Sequence, residues 1–436
     1  MSTVQSATAA AAVAKSAISL TAGAGAAFVP RQTFDVSSSI TRSYYLGHHH
    51  AALGRMRQML SNVGLIIECR DFRVPLTSWN PLLERSLAAN PAERARIIVY
   101  TKRDLGPSDG SAAAAASNGQ SSAEVIRTLR AFHAQHSHAA AVVFLGSGPR
   151  DDNLYDMMRK SKRGNDHRGS SSSLSSSSAA AAAAGDNRLL EAIKTVARER
   201  DALTGLRAMV VGMPNAGKST LLNRLRARGM GLPKAARTGA QPGVTRKLGT
   251  PVRIAPAEGS AVPGSEGLGE GVFVVDTPGV FVPYVSAPED MLKLALVGCV
   301  KDGLVPAVSV ADYLLFHLNR VDPSVYVSRF CADTGGPTND VHEFLRAVAT
   351  RTGKLRRGGQ LSLENAAEWV VQEWRRGALG RFLLDTVTPD TLADMVRRAD
   401  EPALSMNQAR KKEKEARKMR SEMKRLGGGG VDAPAA

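Results

Sequence analysis

Short apolar runs recur along the first two thirds of the chain: Val63 to Cys69, Ile97 to Thr101, Ala140 to Leu145, Ala208 to Gly212 and Val272 to Asp276. Each has the length of a strand and lacks the strict alternation of a half-exposed one, so each predicts a strand buried on both faces. Between most of them lie stretches with helical spacing, such as AEVIRTLRAFHAQ and NRLLEAIKTVARER. Strands alternating with amphipathic helices predict an α/β fold with a mostly parallel sheet. After about residue 286 the strand pattern stops, and MLKLALVGCV, VHEFLRAVATRTGK and LENAAEWVVQEW continue with helical spacing alone, which predicts a smaller all-helical domain.

Three segments carry no apolar periodicity: 107–122, 163–186 (centred on a Ser/Ala tract) and the Pro/Gly-rich 255–271. They are expected to be disordered insertions on the surface. The resulting organisation is an N-terminal segment at 1–34, an α/β domain at 35–285, a helical domain at 286–400, and a basic helix with a flexible tail at 401–436. With 436 residues there is room for this division, since a single core rarely grows beyond about 250–300 residues.

Charge narrows the partners. The chain has 57 Lys+Arg against 40 Asp+Glu, a formal charge of +17, which favours a polyanionic partner, nucleic acid or an anionic membrane surface. ARKKEKEARKMRSEMKR at 409–425 concentrates nine basic residues and is suited either to lie along phosphates or to form a solvated, salt-bridged helix. Cys69, Cys299 and Cys331 are too scattered for a disulfide framework or a zinc site. No apolar run reaches the length that spans a bilayer. Residues 1–34 contain no Asp or Glu and are rich in Ala, Ser and Thr; they fit an organellar transit peptide or an ordinary flexible tail.

The chemistry-bearing motif is Gly212-Met-Pro-Asn215-Ala216-Gly217-Lys218-Ser219-Thr220, set between a strand and a helix. Its glycines let backbone N–H groups turn toward phosphate oxygens, Lys218 supplies a charge to the outer phosphates, and Ser219 can ligate Mg²⁺. Asp276 to Gly279, D-T-P-G, ends a later strand, where a carboxylate holds the magnesium and the glycine N–H reaches the terminal phosphate. Between them Pro242-Gly-Val-Thr245 offers a hydroxyl to complete the metal shell, so Ser219, Thr245 and Asp276 are the expected metal set. Base choice is assigned to Thr101-Lys102-Arg103-Asp104, whose carboxylate can accept two hydrogen bonds from guanine, with Gly146 and Ser147 at the end of the next strand. The ligands expected are GTP or GDP with Mg²⁺.

T-K-R-D resembles the N-K-x-D element of GTPases, with Thr101 in place of asparagine, a shorter tie to the phosphate loop. The order is unusual: the base motif precedes the phosphate loop. With YYLGHHHAALGRM at 44–56 and Glu68-Cys-Arg-Asp71-Phe-Arg73-Val-Pro75, the chain resembles the circularly permuted YlqF/RbgA family of ribosome-assembly GTPases. That resemblance implies a slow, ribosome-stimulated GTPase. In an organellar setting the partners would be the mitochondrial large ribosomal subunit and its rRNA, with peripheral contact to the inner mitochondrial membrane open. It also implies His48 as a group that orients the attacking water, because Val280 stands where many GTPases carry glutamine. Asn215 resembles a residue that helps hold K⁺ in certain GTPases. A scaffold that binds GTP without hydrolysing it is the alternative.

Overall fold

The computed structural model describes residues 28–36, 58–80, 94–107, 120–147, 173–239 except 202, 249–260, 264–281, 287–331 and 336–400, with isolated positions between them. Six strands form one sheet: β1 (Leu65–Asp71), β2 (Ala95–Thr101), β3 (Ala141–Phe144), β4 (Leu206–Gly212), β5 (Val252–Ala255) and β6 (Val272–Asp276). Their spatial order is β3-β2-β1-β4-β6-β5, with only β5 antiparallel to its neighbour. β1 and β4 are central, paired from Leu65↔Ala208 to Cys69↔Gly212. The chain runs outward from β1 to β3, then returns to the other side of β1 with β4. The switch point between β1 and β4 is where an open α/β sheet leaves a crevice for ligands.

Both faces of the sheet are covered, as the uninterrupted apolar runs require. On one face, α2 (Ser173–Glu199) and α3 (Lys218–Met230) lay Leu189, Ile193, Leu222 and Leu225 against Ile67, Val99, Val210 and Val274. On the other, α1 (Ser122–His136) covers Ile98 and Tyr100 with Val125 and Leu129.

The helical region comprises α4 (Pro288–Leu296), α5 (Ala307–Val321), α6 (Val341–Thr352), α7 (Leu363–Arg375) and α8 (Pro389–Asp400). α4 to α7 share a second core around Leu292, Tyr313, Leu314, Phe344, Val348, Val370 and Trp374. The last helix departs from the expected division: Leu392 and Met395 of α8 pack with Leu129 and Tyr100 beside the sheet, because Leu383 and Val387 carry the chain back across that face.

Three sequence expectations change. Residues 173–186 of the segment read as a disordered insertion are the first turns of α2; alanine has the highest helix propensity of all residues, and Asp186 at the end of the tract is buried in an ion pair with Arg224 at 2.7 Å. The Pro/Gly-rich connection at 255–271 is ordered over its described residues: Glu258 N donates to Gly269 O at 2.7 Å, Arg198 donates to the carbonyls of Gly264 and Glu266, and Leu268 is buried. Backbone and arginine hydrogen bonds replace the missing apolar periodicity there. Residues 28–34 are not a loose leader; Arg31 pairs with Asp312 at 2.6 Å and Phe34 meets Tyr313 edge-on on α5. Residues 1–27, 108–119 and 163–172 lie outside the described residues, as does 409–425 apart from isolated positions.

Candidate functional site

The phosphate loop begins where β4 ends. Gly212 (φ +142°) passes so close to the Cys69 carbonyl of β1 that a side chain there would collide with it, which reserves the position for glycine. Asn215 (φ +55°) and Gly217 (φ +86°) curl the loop into the start of α3. Lys218 is buried, and its Nζ donates to Met213 O at 2.7 Å and Gly212 O at 3.2 Å. Burial lowers its pKa, and Asp276 and Cys69 partly oppose that. The loop thus folds around a cation whose remaining need is an anionic partner.

β6 runs beside β4 and delivers D-T-P-G to the same edge. Ser219 Oγ donates to Asp276 Oδ2 at 2.6 Å. Thr277 Oγ1 donates to Val210 O at 2.7 Å and Val280 N to Gly212 O at 3.1 Å, pinning the loop against β4. A hydroxyl and a carboxylate facing each other at the N-terminus of a helix are hard oxygen donors that fit Mg²⁺. Ser219 and Asp276 are the residues that would hold it, where the ion would neutralise negative charge on the phosphates. Thr245, the third member of that expected set, lies outside the described residues, and so does His48. Val280 is fully buried among Ile66, Met209 and Val211 and cannot reach a water.

The base motif comes from β2, on the far side of β1 from the phosphate loop. Thr101 Oγ1 lies 2.9 Å from Ala216 O and 3.2 Å from Arg70 O. Threonine therefore spans the gap to the loop despite its short reach. Lys102 adopts φ +59°, and its Nζ donates to Asn215 O at 2.8 Å and Asp71 Oδ2 at 2.7 Å. Arg103 N donates to Leu145 O at 2.9 Å, joining β2 to the loop after β3. Asp104 Oδ1 accepts from Ser147 N at 2.5 Å and Ser147 Oγ at 2.9 Å, and a Cβ on Gly146 would lie 3.4 Å from the same oxygen. Gly146 and Ser147 thus sit beside Asp104.

Two supports escaped sequence reasoning. Arg224 of α3 donates to the carbonyls of Gly146 and Ser147 at 2.7 and 3.2 Å while paired with buried Asp186; the base loop is thereby tied to the phosphate-loop helix. Asp71, at the end of β1, accepts two hydrogen bonds from the Arg73 guanidinium and one from Lys102. Burial would raise its pKa, but Arg73 and Lys102 outweigh that and hold it far below the usual carboxylate range. The E-C-R-D-F-R-V-P run contained Asp71 and Arg73, but nothing in it revealed their lysine partner.

These elements enclose a cleft of ≈ 350 Å³ lined by Lys102, Asn215, Gly217, Lys218, Ser219, Thr220 and Gly279 together with Arg73, Arg237, Gln372, Arg375 and Arg376. The helical region closes one wall. Asn215 Nδ2 donates to Gly298 O at 2.7 Å, and Arg375 caps the end of α4 through Ala295 O and Leu296 O. Six cationic residues beside a helix N-terminus make this a site for a polyphosphate.

A P-loop, a D-x-x-G strand end and a T-K-x-D strand end gathered at one edge of a mostly parallel sheet define a GTPase. Residues 207–328 match the family described as 50S ribosome-binding GTPase. The chain is 35% identical over 366 residues, 84% of its length and 95% of the relative's, to Mitochondrial GTPase 1 of Schizosaccharomyces pombe. It is 26% identical to Mitochondrial ribosome-associated GTPase 1 of Xenopus tropicalis, covering 81% of this chain and 98% of that one. A GNP-bound YlqF structure from T. maritima matches 77% of this chain and 97% of that one, with 18% identity and a TM-score of 0.39. This chain belongs to the mitochondrial GTPase 1 family, and within it the base motif lies ahead of the phosphate loop in sequence.

Proposed function

We propose that this chain binds GTP in the cleft, hydrolyses it slowly, and acts as an assembly factor on the mitochondrial large ribosomal subunit. The observation that carries the reading is that Lys102 and Lys218 line one cleft from motifs that follow strands on opposite sides of β1, with Asp104 two residues beyond Lys102. Asp104 selects guanine. The phosphates lie along the loop from Asn215 to Thr220, with Lys218 at the outer ones. Ser219, Asp276 and Thr245 hold Mg²⁺, and the Gly279 backbone senses the terminal phosphate. The names of the curated relatives support a ribosomal partner in mitochondria, as does the charge of +17.

Because Val280 is buried in the core, the group that orients water comes from elsewhere: from His48 or from the ribosome. A K⁺ ion near Asn215 would supply charge as an arginine finger does. Basal turnover is therefore low and the large subunit raises it. Among the described residues no helix is long and apolar enough to cross a membrane; the contact proposed with the inner membrane is a peripheral one.

Permutation links hydrolysis to release. The chain leaves Gly279 directly for α4, and the end of α4 is held by both Asn215 and Arg375. Loss of the terminal phosphate frees the loop, which shifts the helical region. Phosphate release measured with and without mitochondrial large subunits tests this. Stimulation by at least tenfold is the expected result; no release above background in either condition would favour a scaffold that uses GTP only for structure.

A further inference from the structure

The connection between α6 and α7 is a small projecting hairpin. Gly353 (φ +66°) ends α6, and Ser362 caps α7 by accepting from Asn365 N at 3.4 Å. Between them Leu355 faces Leu361 in an antiparallel bridge, Arg356 N donates to Gln360 O at 2.7 Å, and Ser362 N donates to Lys354 O at 2.8 Å. Gly358 (φ +91°) and Gly359 (φ +78°) turn the tip. Nothing lies within 4 Å of where a Cβ would stand on Gly353, Gly358 or Gly359. Their backbone is therefore open to close approach by an outside group.

The charge here is one-signed. From Phe344 to Leu363 the sequence carries Arg346, Arg351, Lys354, Arg356 and Arg357 and no Asp or Glu. Arg356 meets Glu364 at 2.9 Å with both side chains exposed, a pairing that water screens heavily. Among the described residues, the side chains of Arg351, Lys354 and Arg357 make no hydrogen bond or ion pair. Leu355 and Leu361 are 53% and 37% exposed. A solvated basic turn would not need two bridged leucines held out in water beside it.

We infer that the 353–361 hairpin docks on the phosphate–ribose backbone of RNA; this rests on the function proposed above and names the surface it uses. Three cations on a narrow tip suit closely spaced phosphates, and the absence of side chains on Gly358 and Gly359 lets a phosphate backbone approach the tip closely. Residues 345–361 contain no aromatic side chain for bases to stack on, so the contact reads the backbone rather than the sequence. The leucine pair can lie on ribose edges in the shallow groove of an RNA helix.

The hairpin is also mechanically tied to the nucleotide. It feeds α7, whose far end carries Gln372, Arg375 and Arg376 into the wall of the cleft, about 20 Å away at 1.5 Å per residue. α7 is buried along Ala366, Val370 and Trp374, so it transmits displacement as a rod. RNA docking and nucleotide state sit at opposite ends of one helix.

The full chain carrying Lys354→Gln, Arg356→Gln and Arg357→Gln should bind large-subunit rRNA at least tenfold more weakly, with a salt slope lower by about two to three, while basal GTP hydrolysis is unchanged. Fluorescence anisotropy with labelled rRNA helices across a KCl series reads both. Unchanged affinity and slope in the triple variant would overturn the hairpin assignment and leave the proposed function standing. Absence of RNA binding by the unmodified chain would overturn both. Vesicles of cardiolipin and phosphatidylcholine form a parallel arm: if the substitutions abolish vesicle binding and spare RNA binding, the surface is a lipid contact and the inference is wrong.

Discussion

Replacing Gly279 with alanine tests how the phosphate sensor meets the phosphate loop. A Cβ at that position would stand 2.5 Å from Pro214 N and 2.6 Å from Pro214 Cα. Carbon contacts are comfortable at about 3.5–4.0 Å, so the two loops would have to separate by about 1 Å. Gly279 does not lie among the glycines with positive φ, so the requirement is for space and not for dihedral freedom. Overpacking of this kind costs about 1–3 kcal/mol of stability. The functional loss is larger, because a displacement of about 1 Å in a reacting geometry can cost on the order of 100-fold in rate. Single-turnover phosphate release should fall by about that factor, and GTP affinity should fall more than GDP affinity, since only GTP has the terminal phosphate that Gly279 is proposed to sense. Circular dichroism at the assay temperature confirms that the variant is folded. A folded Gly279→Ala protein with turnover within threefold of the unmodified chain would refute the assignment of this glycine.

Three further outcomes follow from the site and its surroundings. Asp104→Asn should exchange preference from GTP toward xanthosine triphosphate in a competition assay, and an unchanged preference would remove Asp104 from base recognition. Thr101→Val keeps the shape but deletes the hydroxyl at 2.9 Å from Ala216 O; GTP affinity measured by calorimetry should drop by about tenfold, and an equal affinity would mean that the strand-to-loop tie is idle. Burial holds His133 and His317 neutral, with pKa values lowered from 6.5 to about 3. Unfolded histidines take up protons below 6.5 and these folded ones do not, so stability falls as pH drops from 6.5 toward 3, by up to about 1.4 kcal/mol per pH unit for each. The melting temperature should decline from pH 7 to pH 5 and decline less steeply in His317→Gln; a flat profile would contradict the burial argument.

The α/β class, the strands and the phosphate loop were legible because each rests on local signals: unbroken apolar runs and a complete glycine-lysine-serine spacing. The position of T-K-R-D at a strand end was also legible from the apolar run that precedes it. Contacts between distant segments were not legible. Arg224 of α3 reaches Gly146 and Ser147 across nearly eighty residues of sequence, and Asp71, Lys102 and Asn215 meet only because β1, β2 and β4 end at one edge. Composition misled at 173–186, where serine and alanine read as a flexible tract but continue into a helix whose later turns bury Leu189 and Ile193. α8 was misplaced for a related reason: helical spacing shows that a helix has an apolar face, not which core receives it.

Co-sedimentation with mitochondrial large ribosomal subunits in the presence of a non-hydrolysable GTP analogue, GTP or GDP tests the central claim most directly. The chain should travel with the subunit in the analogue, partly in GTP, and little in GDP. Equal sedimentation in all three, or none in any, would contradict a GTP-controlled cycle of binding and release.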